Sequence, residues 1–258
     1  MTGRKQTRTG RHPGIRALVR QNGVGEAGIQ RAEVRLPKTL ALDVDNAQAL
    51  CEFEDGTKPD LENHCPRGSI VGRARAQTPL LNRPLAGNVY FVKNVRRDPD
   101  TGNVIRTLPM IIAALRGEIA VNLVGESDVK RGKLVSTFAN IPDAPISQFN
   151  MNIRGGRNGI VAVTRTRRSL INLCSSGRQV AEADMDGQNG KRHDFNVNMR
   201  KPCPRRRTAA QVCRKRTNTK PALRRCVRRV KANRARAGKR KAAAKRKAAV
   251  KRDGKRVD

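Results

Sequence analysis

The sequence predicts an all-β fold: an antiparallel, immunoglobulin-like β-sandwich over residues 28–203, followed by a basic C-terminal tail that is helical or disordered. From Ala32 to Cys203 the chain contains many short segments that are β-branched or alternate apolar and polar residues. Turn-forming Gly, Pro, Asn and Asp residues separate these segments. No long amphipathic helix interrupts them, which argues against a parallel α/β sheet.

The predicted elements begin after an N-terminal arm. Residues 1–27 are basic, rich in glycine and without periodicity, so we predict a flexible arm there. A polar turn is expected over 126–132, and the run LPMIIAALRG fits a buried helical turn as well as a strand. The predicted strand segments are 32–37, 68–79, 85–94, 108–117, 117–125, 133–140, 146–156, 158–166 and 193–199.

The tail, residues 204–258, carries most of the excess charge. The whole chain has a formal net charge of +35, and this segment contains 24 Lys and Arg against only Asp253 and Asp258. Residues 221–230 have the apolar spacing of a helix that begins at Pro221. Further on, like charges at i and i+4 oppose helix formation, so we expect about the last twenty residues to become helical only against a polyanion.

Such a tail predicts binding to polyanions through charge. Dense lysine and arginine attract nucleic acid, anionic lipid or acidic cell-wall polymer. No spacing in the tail could read a base sequence, so we expect non-specific, salt-dependent binding; a purely solubilising charge run is the alternative. The candidate polyanion-binding residues are Arg205, Arg206, Arg207, Arg224, Arg225, Arg228, Arg229, Lys239, Arg240, Lys241, Lys245, Arg246 and Lys247.

Other candidates for chemistry are weak. His64 and His193 suggest a metal or acid–base site, but a lone histidine in a loop is usually neither. The segment 184–190 resembles a calcium loop that lacks its bidentate glutamate, so a polar hairpin turn explains it better. No catalytic or nucleotide-binding motif is present, so we predict no enzymatic activity, no cofactor and no metal.

A series of longer motifs runs through the β region. It consists of CPRGSIVGRARAQTPLLNRPLAGNVYF (65–91), LRGEIAVNLVGESDVKRGKLVSTFANIPDAPISQFNMNIRGGRNGIVA (115–162), LINLC (170–174) and MDGQNGKRH (185–193). Together these motifs resemble the repeated β domain of large secreted or surface-exposed proteins of Actinobacteria, a family without established activity. The resemblance covers roughly residues 32–203. It implies an extracellular, non-catalytic β domain.

Six cysteines indicate disulfides and an oxidising compartment. Their even number fits three disulfides better than six free thiols in a cytosolic protein, and no C-x-x-C pair supports a zinc or thioredoxin-like site. Many pairings are possible. We favour the sequential one, in which the bonds close a short loop, flank the last predicted hairpin and fasten the root of the tail: Cys51–Cys65, Cys174–Cys203 and Cys213–Cys226.

Two functions fit these observations. The favoured one is a non-catalytic secreted or cell-envelope protein, a structural or adhesive module whose tail binds anionic cell-wall polymer or other polyanions. The alternative is an intracellular, histone-like protein that binds nucleic acid through the tail. The cysteines favour the first function, and the Lys–Ala tail favours the second. The absence of a visible signal peptide also favours the second, unless the chain lacks its true N-terminus. No segment is long and apolar enough to cross a bilayer.

Overall fold

The protein divides into a β domain and a helical unit. The computed structural model describes residues 1–21, 26–97, 100–166, 169–203, 208–214 and 219–253. The two compact units are Met1–Cys203 and Pro204–Asp258. Strands make up 41% of the structure and helices 17%, so the predicted antiparallel β fold with a C-terminal helix is confirmed. Face-to-face packing of two sheets stays a prediction.

The described residues contain sixteen strands, and ten of these form one curled antiparallel sheet. In chain order the strands are β1 (Ile15–Arg20), β2 (Ile29–Arg35), β3 (Leu40–Leu42), β4 (Ile70–Gln77), β5 (Leu85–Val92), β6 (Val95–Arg97), β7 (Val104–Arg106), β8 (Met110–Arg116), β9 (Ala120–Lys130), β10 (Lys133–Phe138), β11 (Gln148–Ile153), β12 (Val161–Val163), β13 (Arg165–Thr166), β14 (Ser169–Leu170), β15 (Val180–Gly187) and β16 (Arg192–Asn198). The large sheet has the order β1-β11-β4-β5-β8-β9-β10-β2-β15-β16. The remaining strands form the pairs β3–β12, β6–β7 and β13–β14.

The centre of the large sheet is buried on both faces. On one face Phe91 of β5 and Ala113 of β8 belong to the main apolar core. On the other face Tyr90 and Ile112 pack with Leu61 in a second cluster, under the loop that the Cys51–Cys65 disulfide closes. A strand covered on both sides needs no polar alternation, which explains why the apolar run at 108–117 forms β8 and not a helical turn.

The covering loop contains only short helical turns. They are α1 (Phe53–Gly56) and two 3₁₀ turns, Leu61–Asn63 and Arg67–Ser69. Arg116, at the end of β8, holds this loop by donating hydrogen bonds to both carboxylate oxygens of Glu62, at 2.6 and 2.5 Å, and to the Pro59 carbonyl at 2.8 Å. These hydrogen bonds lower the pKa of Glu62 below its ordinary value.

Two predictions about local structure are wrong. The described part of residues 1–27 is not a flexible arm, because residues 15–20 form edge strand β1 against β11 and Pro13 is fully buried; residues 22–25 lie outside the described residues. The turn expected over 126–132 is shorter. Strand β9 continues to Lys130, and the reversal uses Arg131 and Gly132, whose φ angles of 53° and 73° suit a two-residue hairpin turn.

The hairpin turn predicted over 184–190 implies a strand before it, but the sequence does not indicate the position of β15, because alanine and aspartate are poor strand formers. Ion pairs with β2 compensate. Arg35 donates a hydrogen bond to Asp184, and Arg31 donates one to Asp186 at 3.3 Å. Both arginines also contact the Glu33 carboxylate, at 2.6 and 2.7 Å, and Glu33 is only 3% exposed. These cross-strand pairs stabilise the sheet where apolar alternation is weak.

Three disulfides join the cysteines in sequential order, the order that the sequence favours. Their Cα–Cα distances are 5.0, 5.6 and 5.8 Å for Cys51–Cys65, Cys174–Cys203 and Cys213–Cys226 respectively. This number of disulfides indicates an oxidising compartment. Within the described ranges, no helix combines the length and apolar character that crossing a membrane requires.

Replacing Cys51 and Cys65 together by alanine is expected to lower the free energy of unfolding of the β domain by about 3 kcal/mol, because the disulfide closes a loop of roughly 15 residues. Urea unfolding followed through β-domain amide signals measures the change. The C213A/C226A variant is the matched control, because its disulfide lies in the other unit, and it should leave the β-domain transition unchanged. An equal loss in both variants would contradict a local role of the first bond.

The Arg116–Glu62 contact predicts a defined pH dependence. Because the folded-state pKa of Glu62 is lowered, the ionised carboxylate stabilises the fold above its unfolded-state pKa, and this stabilisation is lost as the pH falls through the folded-state pKa. The Arg116→Met variant should raise the pKa of Glu62 towards its ordinary value and weaken the dependence of unfolding free energy on acid pH. Carboxyl ¹³C NMR titration of Glu62 checks this. Arg178→Met, at an exposed position, is the control and should leave the titration unchanged.

Candidate polyanion-binding helix

The helical unit consists of two helices joined by a disulfide. They are α2 (Ala209–Arg214) and α3 (Lys220–Asp253), and the Cys213–Cys226 bond connects them. Cys213 is fully buried. On α3, Leu223, Val227 and Val230 are half-buried at the spacing of one helical face. The disulfide and this apolar face together order the first turns of α3.

Arginines occupy the exposed positions of these same turns. Arg224, Arg225, Arg228 and Arg229 are all exposed. Residues four apart are surface neighbours, about 5–6 Å between Cβ atoms, so these arginines form two adjacent pairs. Lys220 and Pro221 join three of them around an open groove of about 440 Å³. Closely spaced guanidinium groups suit phosphate and carboxylate oxygens, which they bind in a bidentate manner.

The remainder of α3 has no apolar face in its described part. Every side chain from Lys231 to Gly238 is exposed. Helix formation here rests on the high helix propensity of Ala, Lys and Arg, because no buried surface contributes. The sequence predicts that about the last twenty residues become helical only against a polyanion, whereas in the structure the helix continues to Asp253; residues 254–258 lie outside the described residues. The helix propensity therefore outweighs the repulsion between like charges at i and i+4.

The charge spacing of α3 is close to that of a phosphodiester chain. The helix contains 16 lysines and arginines and one acidic residue, Asp253. At about 1.5 Å rise per residue it is roughly 50 Å long, which corresponds to one net positive charge per ~3.4 Å. One strand of B-DNA carries one negative charge per ~3.4 Å. Along its axis, α3 therefore carries net positive charge at about the density at which one DNA strand carries negative charge.

The structure places the thirteen candidate residues in three groups. Four are exposed side chains on α3: Arg224, Arg225, Arg228 and Arg229. Six lie where only the helical backbone of α3 is described: Lys239, Arg240, Lys241, Lys245, Arg246 and Lys247. Three lie outside the described residues: Arg205, Arg206 and Arg207. The structure thus brings the first group together on one short, disulfide-fastened stretch.

The histidine and aspartate candidates have separate partners. His64 Nε2 lies 3.3 Å from a carboxylate oxygen of Asp60, and the ring of His193 packs on Phe195 with centroids 5.0 Å apart. Asp184 is held by Arg35. In the part of the chain that the structure describes, no group of three or more His, Cys, Asp and Glu side chains could hold a metal ion.

Comparison of the chain with protein-family models, curated proteins and solved structures finds no match. The resemblance to the actinobacterial β domain therefore stays a prediction that rests on the motifs. The sequence indicates a further polar surface on β4 and β11. Arg73 and Arg75 alternate with small apolar residues, and Asn150 and Asn152 alternate with larger ones, but this alternation alone does not point to a ligand.

Gly238 tests whether propensity determines the stability of α3. An added Cβ would meet nothing within 4 Å. Gly238→Ala should therefore stabilise the helix locally by about 0.5–1 kcal/mol. Amide hydrogen exchange across residues 231–243 measures this as slower exchange. Gly238→Pro is the opposite control and should accelerate exchange; an unchanged pattern in both variants would show that the helix is not formed in solution.

Proposed function

We propose that the chain is a non-catalytic, secreted or cell-envelope protein. In this proposal the β domain is a structural or adhesive module, and α3 binds anionic cell-wall polymer or other polyanions without sequence specificity. The observation that carries the proposal is α3 itself, whose positive charges lie along a helix at a spacing close to the negative-charge spacing of a phosphodiester polymer.

The compartment is supported by covalent chemistry. Two disulfides lie within the β domain and one lies within the helical unit, and such bonds are rare in proteins of a reducing cytosol. In the covering loop, the Cys51–Cys65 bond lies over apolar side chains of the sheet centre. Disulfides of this kind persist in an oxidising environment, and a cross-linked domain of this kind suits a module that serves as an anchor point.

The binding mechanism is electrostatic. A polyanion that lies along α3 releases its condensed counterions as lysine and arginine replace them, so the affinity falls steeply with salt. The helix contributes pre-organisation, because the backbone that carries its charges is already ordered before binding. The four exposed arginines can all bind phosphate oxygens, and such contacts carry no sequence information.

A second candidate function is nucleic-acid binding, which the Lys–Ala–Arg composition of α3 favours. The aromatic residues amount to only 2% of the chain, so base-stacking platforms are scarce. The disulfides also argue against a histone-like role inside the cell. A cell-wall polyol phosphate offers the same backbone charge without a need for stacking, and we therefore place it first.

For the β domain we propose the finer architecture of a β-sandwich. The small sheet β3–β12 supports this, because Leu40 and Val163 lie in the same buried cluster as Val89 and Phe91 of the large sheet. Phe138 of β10, four strands away from β4 in the sheet order, also belongs to that cluster. Two layers around one core would produce this arrangement.

Removal of four charges from α3 tests the proposed function. The variant R224Q/R225Q/R228Q/R229Q should bind both a polyglycerol-phosphate polymer and a short DNA duplex more weakly. For the duplex, the slope of log affinity against log salt should decrease in magnitude by about three to four, because each phosphate contact contributes about 0.9. Titration between about 50 and 200 mM salt, followed by fluorescence anisotropy, measures both quantities.

A charge-matched variant of the β domain serves as the control. R4Q/K5Q/R8Q/R11Q removes the same formal charge from four exposed positions of the other unit. Equal weakening by the two variants would show that net charge, and not α3, causes binding. Binding of DNA that is much tighter than binding of polyglycerol phosphate at equal salt would favour the nucleic-acid alternative.

A further inference from the structure

A second candidate binding surface lies on the β domain, on four neighbouring strands of the large sheet. The strand register places Arg16 of β1, Asn152 of β11, Arg73 of β4 and Asn88 of β5 side by side in one row. In the next row Asn150 lies beside Arg75. We refer to Arg16, Arg73, Arg75, Asn88, Asn150 and Asn152 as the arginine–asparagine face.

The side chains of this face have no protein partners. Within the described residues, none of its six side chains makes a hydrogen bond or an ion pair. Arginines elsewhere on the sheet differ: Arg35 and Arg31 are paired with carboxylates of β2 and β15, and Arg116 is paired with Glu62. The three arginines of the face therefore keep their hydrogen-bond donors open to a ligand.

Small residues make the face concave. Ala86 and Gly87 of β5 form its floor, and the resulting open groove has a volume of about 490 Å³. A side chain at Gly87 is excluded, because an added Cβ would lie 1.7 Å from the Ala114 carbonyl oxygen. The groove is bordered by Arg73, Arg75 and three asparagines, and none of its described lining residues is acidic.

We propose that the arginine–asparagine face binds an acidic polysaccharide. Guanidinium groups bind carboxylates in a bidentate manner, and asparagine amides donate and accept hydrogen bonds, as recognition of sugar hydroxyls requires. Arginines and asparagines alternate across the four strands at about 4.8 Å, and β4 and β11 each carry two of these residues about 7 Å apart. Charged groups and hydroxyl groups of one polysaccharide chain can therefore be contacted together.

Other anionic polymers fit this face less well. A DNA backbone has no internal hydroxyl groups for the three asparagines, and none of the lining residues is aromatic and able to stack a base. The proposal goes beyond the polyanion binding proposed for α3 and does not depend on it. The two surfaces also differ in chemistry, because α3 presents charge alone whereas this face presents charge together with neutral amides.

NMR titration of the full-length, ¹⁵N-labelled protein with tetragalacturonate tests the proposal. The side-chain amide signals of Asn88, Asn150 and Asn152 should shift. The variant R73Q/R75Q should reduce the affinity at these signals by about tenfold or more, since two charge-assisted interactions are lost. The variant Ala86→Ile keeps the charge but fills the groove, and it should also weaken binding about tenfold. Unchanged signals of the core residues show that each variant is folded.

The control variant R178Q/R200Q removes two arginines whose exposed side chains lie outside the face, and it should change the affinity less than about twofold. Absence of shifts at the three asparagines, or an unaffected affinity in Ala86→Ile, would overturn the proposal. Equal or tighter binding of a short oligonucleotide or oligoglycerol phosphate at these signals would also overturn it. If only signals of α3 shift, the arginine–asparagine face is not a binding surface, and the function proposed for α3 stands. If only signals of the face shift, the proposal for the face stands, and polyanion binding by α3 is disproved.

Discussion

The β domain depends on the covering of β5 and β8 on both faces. One face belongs to the main core, but the other needs a segment that is not a strand. A loop with only short helical turns supplies it, and apolar side chains such as Leu61 contact Tyr90 and Ile112. Inside the loop, backbone hydrogen bonds such as those from Gly56 to the Glu52 carbonyl and from Cys65 to the Leu61 carbonyl form only local turns, which do not connect the loop to the sheet. The Cys51–Cys65 bond closes the loop, and the Arg116–Glu62 contact and the hydrogen bonds from Asn122 to the Lys58 and Pro59 carbonyls hold it over the central strands.

The sequence predicts those parts of the fold that repeat locally. The alternation in β4 and the turn residues between strands correctly indicate an antiparallel β fold, and the apolar face at residues 223–230 correctly indicates a helix. Strand β1 is not predicted because its apolar residues, Ile15, Ala17 and Val19, form only a short alternating run. The segment around this run is basic and glycine-rich, which is typical of a flexible arm. The position of β15 is not predicted because its stabilising partners, Arg31 and Arg35, are about 150 residues distant in the chain.

The distribution of charge also shows what the sequence can predict and what it cannot. Composition reveals an excess of positive charge and its concentration in the tail, and this suffices to propose α3 as a polyanion-binding element. Composition does not reveal which arginines of the β domain are neutralised. Arg35 is paired with Glu33 and Asp184, whereas Arg73 and Arg75 have no such partners among the described residues. Only strand register separates these cases, because it decides whether an arginine faces a carboxylate or an asparagine.

This division of charge has a consequence for binding at physiological ionic strength. At physiological salt, the field of the exposed charges of α3 is screened over about 8 Å. The helix therefore attracts a distant polyanion only when the salt concentration is low. Hydrogen bonds between guanidinium and carboxylate groups in a groove depend less on screening and more on geometry. A protein with both surfaces would capture anionic polymer through α3 and discriminate among polymers through the β domain. Selectivity would then increase, and affinity decrease, as salt is raised, which a single charged tail cannot achieve.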